Sequence, residues 1–317
     1  MDVLSDVVDL IRTGRPQSTL LEWHAPWGQR FPAAPGSAGF QIILQGNCWL
    51  ITPDSDPTPL GTGDVLFLPN GAGYALANQP FTPLAEPVCD PFANAELFTS
   101  ASVGEPGNGP RTTTLCGGYL RRQGQSHPLI DDLPDLIHLP ARLRSHSDLQ
   151  ATMELLADEV SAVRKGGETA VPALLDVLLI HILRTWLDQH PVDSDRNIGW
   201  AAALADPSIA AALEAIHQQP DHPWTVRELG QRAGLSRAAF SERFVSLVGQ
   251  PPITYLTWWR LTSAARILRE SDIPLAAVAD RIGYKSAYAF GNAFKREFGI
   301  APGRYRNRRG TARARPR

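Results

Sequence analysis

The feature that most limits how this chain can fold is a repeat near its C-terminal end. Seven residues recur 50 positions on: Ser236/Ser286, Ala239/Ala289, Phe240/Phe290, Phe244/Phe294, Gly249/Gly299, Pro252/Pro302 and Tyr255/Tyr305. Chance would give roughly one identity in such a window, so the block is a duplicated structural unit. Each copy has the layout of a helix-turn-helix. In the first, Thr225-Val226-Arg227-Glu228 forms a capping box ahead of a helix that turns Val226, Leu229 and Ala233 inward. Gly234 makes the turn and Ser236 caps the second helix. Phe240 and Phe244 share the packed face of that helix, which leaves Arg237, Ala238, Ser241 and Glu242 outward. In the second copy Pro274 suits the first turn of a helix, and Gly283-Tyr284-Lys285 makes the turn. Phe290 and Phe294 face the core there, leaving Ala287, Tyr288, Gly291 and Asn292 outward.

Between the copies, Ile253–Glu270 reads as one helix of about 27 Å at 1.5 Å per residue. That approaches the ~34 Å between successive major-groove segments on one face of DNA. Charge agrees with such a use. The chain carries a net charge of −2, but residues 221–317 hold 18 Lys+Arg against 7 Asp+Glu. A basic block on an otherwise acidic chain is the footprint of a polyanion-binding domain. The bland alternative is a helical bundle with a solvated basic face.

Residues 1–140 have a different texture. Seventeen of the chain's 27 prolines fall there, which argues against long helices. Thr19–His24, Phe40–Gln45, Cys48–Ile51, Val65–Leu68 and Thr112–Leu120 are short apolar or alternating runs, read as strands. Asn78–Arg111 is rich in Pro, Gly and Ala and reads as a long, partly disordered loop. After Pro140 the spacing becomes helical, over Ser147–Lys165 and again over Val171–Leu187. The second of these is apolar nearly all round, more than a lone helix on a sheet can bury, so a partner chain is expected to cover it. His190–Asn197 reads as linker and Asn307–Arg317 as a basic tail.

Other classes are excluded or weakened. Acids, not a basic run, precede the first apolar residues, so no signal peptide is expected. Asp176, His181 and Arg184 interrupt the greasiest stretch, so no membrane partner is expected. Cys48, Cys89 and Cys116 lack zinc-ligand spacing and fit a reducing, cytoplasmic setting. His24, His127, His138 and His146 form no helical pair and read as structural or exposed.

The C-terminal block resembles the AraC/XylS family of bacterial transcriptional regulators over roughly 100 residues. The residues that carry it run from Trp224-Thr225-Val226-Arg227-Glu228-Leu229 through Gly234-Leu235-Ser236-Arg237-Ala238-Ala239-Phe240, Tyr255-Leu256 and Arg260-Leu261. They continue with Ile282-Gly283-Tyr284, Phe290, Phe294-Lys295-Arg296, Gly299-Ile300-Ala301-Pro302 and Tyr305-Arg306. The resemblance implies a DNA-binding domain with two helix-turn-helix motifs whose second helices read bases. Glu242 and Asn292 stand where the family usually offers an arginine or another basic or polar residue, and so bear on the operator sequence. The N-terminal part looks like a cupin: Gly63, Pro69, Gly71 and Asn78 match G-x5-P-x-G-x2-H-x3-N, with Tyr74 in the histidine position. Phe40-Gln41-Ile42-Ile43 runs where the first histidine pair would lie.

These observations give an α+β multidomain chain. A cupin-like β-barrel sensor is expected over 1–140, a helical dimerisation segment over 141–190 and a linker over 191–206. A two-motif DNA-binding domain follows over 207–307, and a tail over 308–317. The expected function is sequence-specific, double-stranded-DNA-binding transcription regulation, without catalysis, under a small-molecule effector held in the barrel. Candidate DNA-contacting residues are Arg237, Ala238, Ser241, Glu242 and Arg243 in the first copy. In the second they are Ser286, Ala287, Tyr288, Gly291, Asn292, Lys295 and Arg296. Arg243, Lys295, Arg296 and Arg306 are the phosphate candidates. Gln41 and Tyr74 are the ligand candidates, and because neither is an imidazole no metal or other cofactor is expected. A homodimer and contact with RNA polymerase complete the expected partners. A reactive cysteine at Cys116 is a minor alternative implied by the cupin-regulator resemblance. The rival function is a cupin-type oxygenase or isomerase fused to a helical domain. An RNA-binding module ranks third, for want of an aromatic stacking platform.

Overall fold

A computed structural model describes residues 2–11, 17–53, 55–85, 101–103, 109–120, 126–141, 147–162, 164–189 and 199–311. The chain divides into two compact units, Val7–His190 and Pro191–Arg317 joined by Met1–Asp6. A helix not anticipated from the sequence, α1 (Val3–Ile11), opens the chain, and the division falls within it. Residues 1–6 therefore group with the C-terminal block, not with the 1–140 domain expected for them, because Asp6 is buried in a network described below.

The first unit is built on strands. β1 (Gln17–His24), β2 (Gly28–Phe31), β3 (Ser37–Gln45), β4 (Asn47–Thr52) and β5 (Ser55–Gly61) come first. β6 (Val65–Leu68), β7 (Tyr74–Ala77), β8 (Ala101–Val103), β9 (Arg111–Leu120), a single turn α2 (Pro128–Asp131) and β10 (Ile137–Leu139) complete it. One sheet has the order β10-β6-β3-β9-β1-β8 and the other β2-β7-β4-β5. Their facing side chains make one core: Leu21, Trp23, Ile43, Leu66 and Cys116 from the first, and Phe31, Leu50, Leu60 and Leu76 from the second. The apolar run Val65–Leu68 is buried at all four positions, which is why it was legible as a strand.

β5 was not. Its Asp56, Pro57 and Pro59 spell a loop, yet a strand with prolines is tolerated at a sheet edge, and β5 is an edge. Gly71, in the stretch that matches the cupin pattern, has φ +66°, and a Cβ there would lie 2.2 Å from the Ala34 carbonyl oxygen. Most of Asn78–Arg111, read as a disordered loop, lies outside the described residues; β8 sits within it and pairs in parallel with β1.

Helices α3 (Ser147–Ala162) and α4 (Gly167–Gln189) pack on each other, α3 also on β1 and α4 on β10. By length and composition α4 could cross a bilayer. Its buried stripe, Leu175, Leu178, Leu179, Ile182 and Leu183, is instead used within the unit.

The second unit is helical: α5 (Trp200–Ala205), α6 (Pro207–Gln218), α7 (Val226–Arg232), α8 (Arg237–Val248) and α9 (Pro252–Glu270), then α10 (Leu275–Arg281), α11 (Ala287–Phe298) and α12 (Pro302–Thr311). Two expected boundaries need correction. The 191–206 linker contains α5, an alanine-rich turn anchored by buried Trp200, whose ring lies 5.5 Å from Tyr255. Residues 191–198 of that linker lie outside the described residues. The tail expected from 308 is still helical to Thr311, as the last turn of α12.

Candidate nucleic-acid interface

The interface starts from local capping chemistry. The Thr225 hydroxyl accepts the Glu228 N–H while the Glu228 carboxylate accepts the Thr225 N–H, closing a capping box on α7. The backbone and side chain of Thr225 hold the Glu228 carboxyl below the ordinary carboxylate range. Ser236 accepts the Ala239 N–H at 3.3 Å to start α8, and Ser286 accepts the Ala289 N–H at 3.2 Å to start α11. Both helices end on a left-handed glycine, Gly249 at φ 80° and Gly299 at φ 72°. The period of 50 in the sequence is thus a period in backbone geometry.

The same repeat sets the faces. Phe240 and Phe244 are buried in the first copy and Phe290 and Phe294 in the second, with ring centroids 5.5 Å apart in each pair. On the opposite face of α8, Arg237, Ala238 and Glu242 are exposed and Ser241 is half-buried. On α11, Ala287 and Asn292 are exposed, Gly291 is half-buried and Tyr288 is 81% exposed. Ser286 is exposed, with its hydroxyl oxygen given to the cap.

The cations divide between free and engaged. Lys295 and Arg296 are exposed in the last turn of α11, where they also complement the helix dipole. Arg243 forms an ion pair with Asp206, the residue that caps α6 by accepting the Ser208 and Ile209 N–H groups, and keeps 52% of its side chain exposed. Burial pushes the Asp206 carboxyl up, but the Ile209 N–H and Arg243 together outweigh it and hold the group below the usual range. Arg306 donates to the Ile273 carbonyl at 2.6 Å and so supports the fold of α12. Sequence reasoning missed Arg232, exposed beside Trp224 at 5.6 Å from its ring, and Lys285, exposed in the turn before α11.

Two inner contacts tie the helix pairs to the loop before α7. Arg260 of α9 donates from Nε to the Pro220 carbonyl and from Nη2 to the His222 carbonyl at 2.8 Å, tying the loop before α7 to α9. Gly283, in the turn before α11, has φ +75°, and a Cβ there would lie 2.5 Å from the Asp221 carbonyl oxygen of that same loop. Deeper in the unit, His217 Nδ1 lies 2.8 Å from Asp6 and Nε2 lies 2.6 Å from the Tyr255 hydroxyl. Its ring stacks on Trp259 at 4.0 Å. Burial holds the His217 pKa below its ordinary value, against the opposing pull of Asp6. A neutral ring fits the contacts: Nδ1–H donates to Asp6, Nε2 accepts from Tyr255, and Arg266, 3.8 Å from Asp6, balances the carboxylate. Burial also raises the Tyr255 hydroxyl, keeping it a donor.

In the two-sheet unit the structure brings both sequence-derived ligand candidates together. Tyr74 donates its hydroxyl to Gln41 Oε1 at 3.0 Å and stacks on Phe31 at 4.7 Å. Gln41 is fully buried, and among the described residues its Nε2 has no hydrogen-bond partner. Cys48 and Cys116 are both buried, and burial pushes the Cys48 thiol up to about 12.

Residues 2–188 match the family described as Cupin, and residues 229–308 match the one described as Helix-turn-helix domain. An AraC-like transcription regulator of Streptomyces antibioticus is 35% identical over 309 residues, covering 96% of this chain and 98% of the relative. The HTH-type transcriptional regulator AlkR of Acinetobacter baylyi is 27% identical over 311 residues, covering 96% and 99%. Among solved structures, the DNA-binding domain of AdpA, a global transcriptional factor, in complex with a target DNA is 33% identical. It covers 34% of this chain and 96% of that one, with a TM-score of 0.32.

Proposed function

Because this chain belongs to the AraC-type transcriptional regulators with an N-terminal cupin domain, sequence-specific DNA-binding proteins, we propose that both of its helix pairs read the duplex. The observation that carries the proposal is the duplicated geometry: serine cap, buried phenylalanine pair and left-handed glycine, repeated 50 residues apart. On this reading α7–α8 and α10–α11 are two helix-turn-helix motifs. Arg237, Ala238, Ser241 and Glu242 approach one half-site, and Ser286, Ala287, Tyr288, Gly291 and Asn292 approach the other. Lys295 and Arg296 hold phosphates, joined by the exposed part of Arg243. Selection of bound duplexes from a random pool tests it. Two conserved blocks about one helical turn apart are expected, with affinity falling steeply in salt. A single block, or no preference among duplexes, would sink the two-reader reading.

We read the two facing sheets as one barrel that senses a small molecule, with Gln41 and Tyr74 as contacts, supported by the unpartnered Gln41 Nε2. A regulatory, non-enzymatic role in the cytoplasm and contact with RNA polymerase go with it. Dimerisation through α3 and α4 is supported by Leu155 and Val177, 58% and 41% exposed. Leu178 and Ile182, which the apolar run alone would suggest for the interface, are each 1% exposed within the chain, so charging them would test folding instead. Leu155→Glu with Val177→Glu should give a monomer in sedimentation; an unchanged species would move the interface elsewhere.

A further inference from the structure

The first unit contains a cavity of about 430 Å³ that no sequence motif marked. It opens where β4 and β5 meet the end of β10, and falls within the size range of small-molecule sites. One wall is apolar: Trp49 and Pro59, opposite each other in the β4–β5 register, with Leu60 beside them. The other wall carries Thr62, Asp64 and His138.

Asp64 is 7% exposed and already supplied with donors. Its Oδ1 accepts the Ala141 N–H at 2.7 Å, and its Oδ2 accepts the Gly61 N–H at 3.1 Å and meets His138 Nε2 at 3.1 Å. Burial pushes this carboxyl up, but the bonds from His138, Ala141 and Gly61 outweigh that and keep it ionised. An ionised Asp64 takes the Nε2 hydrogen of His138, which in the neutral ring leaves Nδ1 with a lone pair. The Thr62 hydroxyl spends its hydrogen on the Gly46 carbonyl at 3.0 Å, leaving oxygen lone pairs as well. The polar wall therefore offers acceptors beside a fixed negative charge.

We propose that this cavity binds a neutral hydroxyaromatic molecule of the phenol class, its ring against Trp49 and Pro59 and its hydroxyl donating to His138 Nδ1. The negative charge of Asp64 disfavours a carboxylate, and the mainly apolar opposite wall disfavours a cation stripped of water. The proposal rests on the reading of this unit as a small-molecule sensor, and places a site at the rim as well as the Gln41–Tyr74 pair inside. The position suits signalling. Ala141, held by Asp64, is six residues before α3, and Thr62 also lines a second cavity, of about 250 Å³, against Met153 and Ala157 of α3.

The test titrates the full chain with phenol, benzoate and benzylamine, by calorimetry and tryptophan fluorescence. Phenol should bind saturably, quench fluorescence, and bind better than either charged probe. His138→Leu should weaken it at least tenfold. Trp49→Ala, at a half-exposed position, should do the same and keeps the proposal testable if His138→Leu does not fold. Unchanged phenol affinity in either folded variant, tighter binding of benzoate or benzylamine, or no saturable binding at millimolar phenol would each overturn it. Binding lost in Gln41→Leu but kept in His138→Leu would overturn the rim site and leave the sensor reading standing. Phenol bound at the rim with no change in DNA affinity would sink the sensor reading and leave the site.

Discussion

The two helix pairs share caps, phenylalanines and terminal glycines, yet they are seated differently. The turn glycine of the first, Gly234, has open space where a Cβ would go, whereas that of the second, Gly283, is pressed against Asp221. Tyr255 and Tyr305 occupy the same place in the repeat. Tyr255 is fully buried on His217, while Tyr305 is half-buried and accepts from Arg269 Nη1 at 2.8 Å. The second helices differ too: α8 carries Glu242 and a partly engaged Arg243, and α11 ends in exposed Lys295 and Arg296. Duplication preserved the backbone frame, while the seating of the turn, the burial of the repeated tyrosine and the charge at the end of the second helix diverged.

The turn glycines give the largest expected contrast. Both occupy left-handed backbone, so alanine at Gly234 should cost about 1–2 kcal/mol. Gly283→Ala adds a clash with backbone and should cost about 3 kcal/mol or more in all, by the usual penalties for strain and overpacking. Urea unfolding of the two variants reads the difference; equal losses would erase the contrast in seating.

The repeated tyrosines come next. Tyr255→Phe leaves buried His217 Nε2 without its donor and should cost about 1–3 kcal/mol, while Tyr305→Phe should cost less. The same network sets a pH dependence. The folded His217 pKa is depressed, so below its ordinary value near 6.5 the unfolded chain takes up a proton that the folded chain refuses. Stability contributed here is present above about pH 6.5 and lost as pH falls toward the folded value. Asp6→Asn should alter that profile, and a stability curve with no slope below pH 6.5 would count against a neutral buried His217.

For DNA, Asn292→Ala should cost about 1–3 kcal/mol at one base position and relax the choice there. Glu242→Ala should change preference at a base in the other half-site and raise affinity for duplexes in general. The smallest contrast is electrostatic. Lys295→Ala should weaken all duplexes alike and lower the log–log salt slope by roughly 0.9. Arg243→Ala should change that slope less, since part of its charge is already met by Asp206. An equal drop in slope would make the two pairs electrostatically equivalent after all.

What could be read from the sequence follows how local each signal is. Ser236, Gly249, Ser286 and Gly299 act on backbone within three or four residues of themselves, so the helix pairs and their outward faces were legible. Val65–Leu68 was legible because a fully buried strand needs an unbroken apolar run. β5 was hidden by prolines that only its edge position excuses. Asp6 and His217 are 211 residues apart and Asp64 and His138 are 74 apart, so no spacing rule could join them. Arg243 was readable as basic and exposed, but its bond to Asp206 depends on how α6 meets α8.

The grip of Arg260 on the loop at Pro220 and His222, with Gly283 pressed on Asp221 between them, has a consequence for the DNA itself. One short loop, ahead of α7, meets both α9 and the turn before α11, and so ties the two helix pairs together. On the proposal that both pairs read the duplex, such a tie sets a fixed spacing between the two half-sites. Half-sites moved apart by about five base pairs, half of a 10–10.5 base-pair turn, would face opposite sides of the duplex, and on that proposal the chain should then hold only one of them.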